Sequence, residues 1–323
     1  MVSRSLRIIS LLIVAALIAA VLFSISLDTS FEDMTALYGD ENSQFLNLPS
    51  GSQVHLRDEG NPDGPPLIML HGSNSSLQTW ERWVDLLGSD YRMISIDLPG
   101  HGLTGRTTRN SYSRFDMVAF VLEVATTMEI QQFDLAGNSM GGGVAWALAR
   151  RYPARVNHLI LLAPSGVGRV PQDPPLAFRI AENPATRPLL RWLAPRWLFA
   201  NGLHTSFVDD NFVSDDLIDR YWRLNRLPGN RLATMARFSL PDAPDLKDLE
   251  GAVDVPTLIL WGENDQVLPY DHQRVLWDLR TKFAGGLETN AIVTFAETGH
   301  LPHVERADET AAVAAHFLSQ EAR

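Results

Sequence analysis

The sequence has 323 residues, of which 45% are hydrophobic and 20% are charged. This is the composition of an ordinary globular protein, and the chain is long enough for one large domain with an insertion. The formal net charge is −11, and the basic residues form no long runs, which argues against nucleic acid as a partner. The sequence contains no cysteine, so disulfide bonds, thiolate nucleophiles and cysteine metal sites are all excluded.

The segment 1–27 predicts a membrane-targeting helix. Residues 8–27 are 20 positions without a charge, and a helix of that length crosses a hydrocarbon core of about 30 Å. Arg4 and Arg7 precede the run, which predicts a cytoplasmic N-terminus and a catalytic domain on the periplasmic or extracellular side. The small residues Ser24 and Ser26 leave a signal peptide, cleaved to give a secreted protein, as the alternative.

The remaining chain predicts an α/β fold with a mostly parallel sheet. Segments 44–48 and 53–57 flank a Pro-Ser-Gly turn and indicate an opening hairpin. Short apolar runs typical of buried strands follow at 67–70, 91–96, 133–136, 158–162, 257–261 and 292–295, and they alternate with helical stretches at 77–87, 113–128, 140–151, 270–279 and 307–318. In such a sheet the ligand crevice lies at the carboxyl ends of the strands.

The alternation stops over 165–241, where proline-rich turns and helix-like stretches occur without a clear strand. We predict a helical cap above the crevice, which divides the core into 28–164 and 242–323. Aromatic residues recur along this segment, and they include Trp192, Trp197, Phe199, Phe207, Phe212 and Trp222. Most of them should form the cap's own small core, and a few should face the substrate.

A candidate nucleophile lies at Ser139. The apolar strand ends in Gly-Asn-Ser-Met-Gly, and an alanine-rich helix follows, which is the context of a nucleophile elbow. The glycines at 137 and 141 leave room for the tight turn that exposes the serine hydroxyl. A structural serine in a glycine turn is the alternative.

A serine hydroxyl needs an adjacent base that is oriented by a carboxylate. Asp265 follows the strand at 257–261, and His300 follows the strand at 292–295, so both lie on loops at the same edge of the sheet. Glu263 and Asp271 are alternative acids, and His303 is an alternative base. His71 and His101 lie in glycine-containing loops, where a turn or packing role is more common.

Acyl transfer also needs donors for the oxyanion. The backbone N–H of Met140 directly follows the nucleophile and is the first predicted donor. The second should come from the loop after the strand at 67–70, where we choose Ser73 over Gly72 and Asn74. This chemistry requires no metal and no organic cofactor.

Together these motifs resemble the α/β-hydrolase superfamily from about Gln44 onward. The resemblance implies an eight-stranded sheet with an inserted helical cap. The elbow is similar to that of meta-cleavage-product hydrolases, which split carbon–carbon bonds. Those enzymes usually carry a tryptophan soon after the histidine, whereas Leu301 follows His300 in this sequence.

In those hydrolases a cap arginine holds the dienoate carboxylate of the substrate, and segment 215–222 is similar to the helix that carries it. The resemblance makes Arg220 a candidate substrate contact, with Arg223 as the alternative. Asn138, beside the nucleophile, is a second candidate contact.

The sequence therefore predicts a serine hydrolase of a small or medium acyl compound, with a carboxylic ester as the expected substrate. Carbon–carbon hydrolysis and cofactor-free perhydrolysis are the enzymatic alternatives. A hydrolase fold retained as a receptor or scaffold is the non-enzymatic one.

Overall fold

The computed structural model describes residues 9, 11–12, 25–167, 174–240, 253–282 and 290–320. The predicted N-terminal helix at 1–27 lies almost entirely outside these residues. Among the helices that are described, none is both long and apolar enough to cross a membrane.

An eight-stranded sheet forms the centre of the molecule, in the order β1-β2-β4-β3-β5-β6-β7-β8. Its strands are β1 (Ser43–Asn47), β2 (Gln53–Gly60), β3 (Pro66–Leu70), β4 (Arg92–Ile96), β5 (Phe133–Asn138), β6 (Val156–Leu162), β7 (Thr257–Gly262) and β8 (Asn290–Phe295). The first two strands form an antiparallel hairpin, β2 pairs antiparallel with β4, and every later pairing is parallel. The sheet is therefore mostly parallel, as the sequence predicts.

The described α-helices connect and cover these strands. They are α1 (Phe31–Tyr38), α2 (Glu81–Leu87), α3 (Arg114–Thr127), α4 (Met140–Arg151), α5 (Leu176–Glu182), α6 (Arg196–Ser206), α7 (Asp215–Asn225), α8 (Asn230–Ser239), α9 (His272–Lys282), α10 (Pro302–Glu305) and α11 (Ala307–Leu318). Four of them, α5 to α8, lie between β6 and β7 and form the inserted cap. No strand is present among the described residues of this insertion.

Apolar side chains fill both faces of the sheet. On one face, α3 and α4 contribute residues such as Val121 and Trp146. On the other face, α2 and α11 pack Trp83 and Phe317 against the strands. Because the sheet is covered on both sides, its parallel strands are almost wholly apolar, and this is the pattern that made them recognisable in the sequence.

The element boundaries differ from the sequence predictions by a few residues at most. The predicted helix at 77–87 begins as a 3₁₀ turn, Leu77–Trp80, before it continues as α2. The predicted helix at 270–279 is observed two to three residues later, as α9. The sequence analysis missed α1, a short helix capped by the Ser30 side chain.

The cap aromatics do not all behave as predicted. Phe207 is buried within the cap, and Phe199 lines the cleft beneath it. Trp192 and Trp197, in contrast, are 55% and 57% exposed, and they line neither a cap core nor the cleft beneath the cap.

Candidate active site

Ser139 lies at the sharp turn between β5 and α4. Its backbone has φ 52° and ψ −116°, a conformation that residues other than glycine rarely adopt and that costs about 1–3 kcal/mol. Room for the turn comes from the flanking glycines. A Cβ on Gly137 would lie 2.4 Å from the Gly141 carbonyl oxygen, and one on Gly141 would lie 2.3 Å from the Leu70 oxygen. This is the geometry of a nucleophile elbow.

Asp265 and His300 are hydrogen-bonded to each other behind this turn. The His300 Nδ1 atom lies 2.7 Å from Asp265 Oδ2, and both side chains are buried. Because a carboxylate can only accept, Nδ1 carries the proton, and Nε2 remains as the proton acceptor. The other carboxylate oxygen accepts the backbone N–H groups of Val267 and Leu268 at 2.8 and 2.9 Å, which fixes the carboxylate plane.

The loop that carries His300 is held by contacts that the sequence analysis did not identify. The His300 N–H donates to the carbonyl of Ser206 in the cap at 2.7 Å. The Asn138 amide donates to the His300 carbonyl at 3.1 Å. The Glu305 carboxylate accepts the N–H of Gly299 at 2.5 Å and that of Val208 in the cap at 2.7 Å. The histidine is therefore anchored to both the core and the cap.

Two of the histidines weighed from the sequence, His303 and His71, are held by packing and hydrogen bonds. His303 is fully buried, its Nε2 lies 2.9 Å from Thr79 Oγ1, and its ring packs on Trp80. Burial, with a smaller contribution from the neighbouring His300, lowers the pKa of His303 to about 3. His71 donates to the Gly72 carbonyl and accepts from a backbone N–H, so both of its ring nitrogens are engaged in shaping the loop.

The alternative acids have other hydrogen-bond partners. The Glu263 carboxylate is exposed and accepts the Thr294 hydroxyl at 2.8 Å. Asp271 accepts the N–H of Arg274 at 3.1 Å as α9 begins. Among the three carboxylates considered from the sequence, Asp265 is therefore the one paired with the histidine.

The predicted oxyanion donors flank Ser139. Met140 is the first residue of α4, a position whose N–H has no partner within the helix. Ser73 lies in the loop after β3 and lines the same cleft as Ser139, as do the alternatives Gly72 and Asn74. The Ser73 hydroxyl accepts a hydrogen bond from the Arg237 guanidinium of the cap.

A cleft of about 1020 Å³, open to solvent, lies between the core and the cap. Ser139, His300 and Asn138 lie at its floor. Its walls are mostly apolar, and the cap supplies Phe178, Ala181, Leu190, Ala194, Leu198, Phe199 and Leu203. We call this the acyl cleft.

The face that α7 turns toward the acyl cleft carries Tyr221 and Asn225. Neither Arg220 nor Arg223 is among the residues that line it, and Arg223 pairs with Asp219 on the same helix at 3.0 Å. The structure thus brings Asn138 into the cleft but leaves Arg220 outside it. Tyr221 donates to the Ser75 hydroxyl at 2.9 Å, a contact to the loop after β3 that the sequence did not reveal.

Comparison with known proteins identifies relatives along most of the chain. Residues 65–307 match the model of the α/β-hydrolase fold family. A 2-hydroxymuconate semialdehyde hydrolase of Pseudomonas sp. (strain CF600) is 30% identical over 284 residues, which cover 84% of this chain and 93% of the relative. A 2-hydroxy-6-oxo-6-phenylhexa-2,4-dienoate hydrolase of Comamonas testosteroni is 26% identical over 306 residues, covering 89% of this chain and 100% of that one.

Solved structures show the same fold. A meta-cleavage product hydrolase from Pseudomonas fluorescens IP01 superimposes with a TM-score of 0.67 at 23% identity. The alignment covers 85% of this chain and 97% of the other.

Proposed function

The chain belongs to the α/β-hydrolase fold family and is a hydrolase of that family, and we propose that it cleaves small or medium carboxylic esters through an acyl-enzyme on Ser139. The observation that carries this proposal is the position of Ser139 and the His300–Asp265 pair at the floor of a mostly apolar cleft. An apolar wall suits an acyl chain, and the polar groups are concentrated where the carbonyl would react.

In the proposed mechanism, His300 Nε2 takes the proton of the Ser139 hydroxyl as the oxygen attacks the ester carbonyl. The N–H groups of Met140 and Ser73 stabilise the resulting oxyanion. His300 then protonates the leaving alcohol, and in the second half-reaction it activates the water that hydrolyses the acyl-enzyme. Asp265 keeps the imidazole in the required tautomer.

The second candidate function is carbon–carbon bond hydrolysis of the meta-cleavage-product type. It is favoured by the activities for which the relatives at 26–30% identity are named. The ester proposal is supported against it by two local differences. Leu301 stands where those enzymes usually carry a tryptophan, and the cleft-facing positions of α7 are Tyr221 and Asn225. The arginine that does line the acyl cleft, Arg231, lies on α8 and is paired with Asp28.

A direct comparison of substrates tests the two functions. We expect short-chain p-nitrophenyl esters to be cleaved with a higher kcat/KM than a 2-hydroxy-6-oxo-dienoate. Arg220→Ala should change ester kcat/KM by less than about tenfold, and Ser139→Ala should abolish turnover without changing the melting temperature. A dienoate preferred by orders of magnitude, together with a loss of about 2 kcal/mol or more of transition-state binding on Arg220→Ala, would support the carbon–carbon function instead.

We further propose that segment 1–27 holds the protein at a membrane, with the catalytic domain periplasmic or extracellular. The uncharged run after Arg4 and Arg7 supports this location. The contacts at the end of the run favour an uncleaved anchor over a cleaved signal, because Arg231 of the cap donates to the Ser26 carbonyl, within the run, and to the Asp28 carboxylate just after it. Recovery of the full-length protein only in the cytosolic fraction would contradict both versions.

A further inference from the structure

Residues 25–29 lie against the cap as a strap. The Ser26 N–H donates to the Trp192 carbonyl, in the turn before α6, at 2.8 Å. The Leu27 carbonyl accepts a hydrogen bond from the Arg226 side chain, at the end of α7, at 2.7 Å. The strap is therefore fixed to two separate parts of the cap.

Large apolar side chains around this attachment are exposed. They lie on the strap, in the turn before α6 and in the first turn of α6, with exposed fractions of 40% to 67%: Ile25, Leu27, Leu189, Trp192 and Trp197. We call these five residues the tryptophan face. Each lies within about three positions along the chain of a strap–cap hydrogen bond. Single exposed apolar residues are normal, but two tryptophans and three aliphatic side chains around one attachment are typical of an interaction surface.

The place of the strap in the sequence identifies the surface that the tryptophan face meets. Residues 25–27 end the uncharged run at 8–27, and Asp28 is the first charge after it. In the proposed location this run crosses the bilayer, so its last residues lie at the membrane–water interface. Because Trp192 is hydrogen-bonded to Ser26, it lies at the same level. Tryptophan is enriched at that level, since its ring is apolar and its N–H group is polar.

We propose that the cap docks on the lipid bilayer through the tryptophan face, with Trp192 and Trp197 at the level of the lipid headgroups. This inference rests on the proposed membrane location, and it holds for ester and for carbon–carbon hydrolysis alike. The same part of the cap lines the acyl cleft with Leu190 and Ala194. Docking thus brings one wall of the acyl cleft against the membrane.

Spin labels measure the depth of the tryptophan face directly, because the sequence has no cysteine of its own. Trp192→Cys and Trp197→Cys, each in the full-length chain, are labelled with a nitroxide and reconstituted into phosphatidylcholine vesicles. Tyr152→Cys is the matched control, because Tyr152 is 39% exposed and follows the end of α4, which runs from the nucleophile elbow to the opposite edge of the sheet.

The label should collide with the water-soluble chromium oxalate anion at least about threefold less often at positions 192 and 197 than at position 152, because the apolar side of the interface excludes charge. Collisions with oxygen, which dissolves in lipid, should be more frequent at 192 and 197 than at 152. Each labelled variant should float with the vesicles and keep the melting temperature of the wild type, because all three side chains are exposed. If one tryptophan substitution unfolds the protein, the other position decides the test.

Labels at 192 and 197 that meet the anion as often as the label at 152, in protein that floats with the vesicles, would overturn the docking and leave the membrane location intact. Protein that does not float would overturn the location, and the docking with it. Spectral broadening at position 192 that disappears on dilution with unlabelled protein would show that the face meets a second copy of the chain, and this result would also overturn docking on lipid.

Discussion

Replacement of Asp265 by asparagine tests the proposed catalytic machinery most sharply, because the structure determines how the new side chain must lie. One carboxylate oxygen of Asp265 accepts two backbone N–H groups, at 2.8 and 2.9 Å. In Asp265→Asn the amide oxygen must keep this position, since an NH₂ group facing two donors would be unsatisfied. The amide nitrogen then faces His300 Nδ1, a position that now has to accept. The imidazole proton moves to Nε2, so His300 can no longer take the proton of Ser139.

The expected decrease in kcat follows from this change of tautomer. In serine–histidine–aspartate triads the equivalent replacement lowers kcat by about 10⁴-fold. We expect a decrease of the same order here, which corresponds to about 5 kcal/mol in the activation barrier. The free energy of unfolding should fall by only about 1 kcal/mol, because a charge-assisted hydrogen bond is replaced by a neutral one while the two backbone contacts remain.

Steady-state hydrolysis of p-nitrophenyl butyrate and a thermal melt measure both quantities. Glu263→Gln is the matched control, because it neutralises an exposed carboxylate on the same loop and should leave kcat within about twofold of wild type. If Asp265→Asn kept kcat within about tenfold of wild type while folded, the assignment of Asp265 as the orienting acid would be refuted.

Three further predictions concern packing, acid stability and the cap. Gly137→Ala should destabilise the protein by about 1–3 kcal/mol or more in a denaturant titration, whereas Gly202→Ala, whose added Cβ meets nothing within 4 Å, should not destabilise it. The pKa of His303 is about 3 in the folded protein and near the ordinary 6.5 in the unfolded chain, so acidification between these values should lower the free energy of unfolding by about 1.4 kcal/mol per pH unit. His303→Gln should reduce that slope, whereas His204→Gln, at an exposed site, should not. Tyr221→Phe should lower kcat by roughly three- to tenfold with little change in KM, and an unchanged kcat would contradict a role for the tyrosine in positioning the oxyanion loop.

The core and the position of the proposed triad could be predicted because local pattern determines them. A strand covered on both faces is an apolar run, and a residue that directly follows it must lie at the carboxyl edge of the sheet. Ser139, Asp265 and His300 each follow such a strand within a few residues, so the sequence alone was enough to bring them to one edge.

The cap could be predicted as an insertion but not in its orientation. Adjacent residues on a helix point about 100° apart, so a shift of one position separates Arg220, outside the acyl cleft, from Tyr221, which lines it. Whether Arg220 or Tyr221 lines the cleft depends on how α7 packs against the core. That packing involves contacts between residues distant in sequence, such as Tyr221 with Ser75, and no local pattern encodes them.

The contacts around His300 indicate that the cap does more than cover the cleft. The backbone N–H of His300 donates to the Ser206 carbonyl, and Glu305 joins the histidine loop to Val208, so two cap segments help to hold the imidazole that the core supplies. Arg237 and Tyr221 reach the oxyanion loop from the same cap. A cap that moved away would thus loosen His300 and the loop of Ser73 together. In the proposed mechanism, closure of the cap over an acyl chain would complete the geometry of the reacting groups as well as exclude water, so the hydrogen bonds between cap and core would link substrate binding to catalysis.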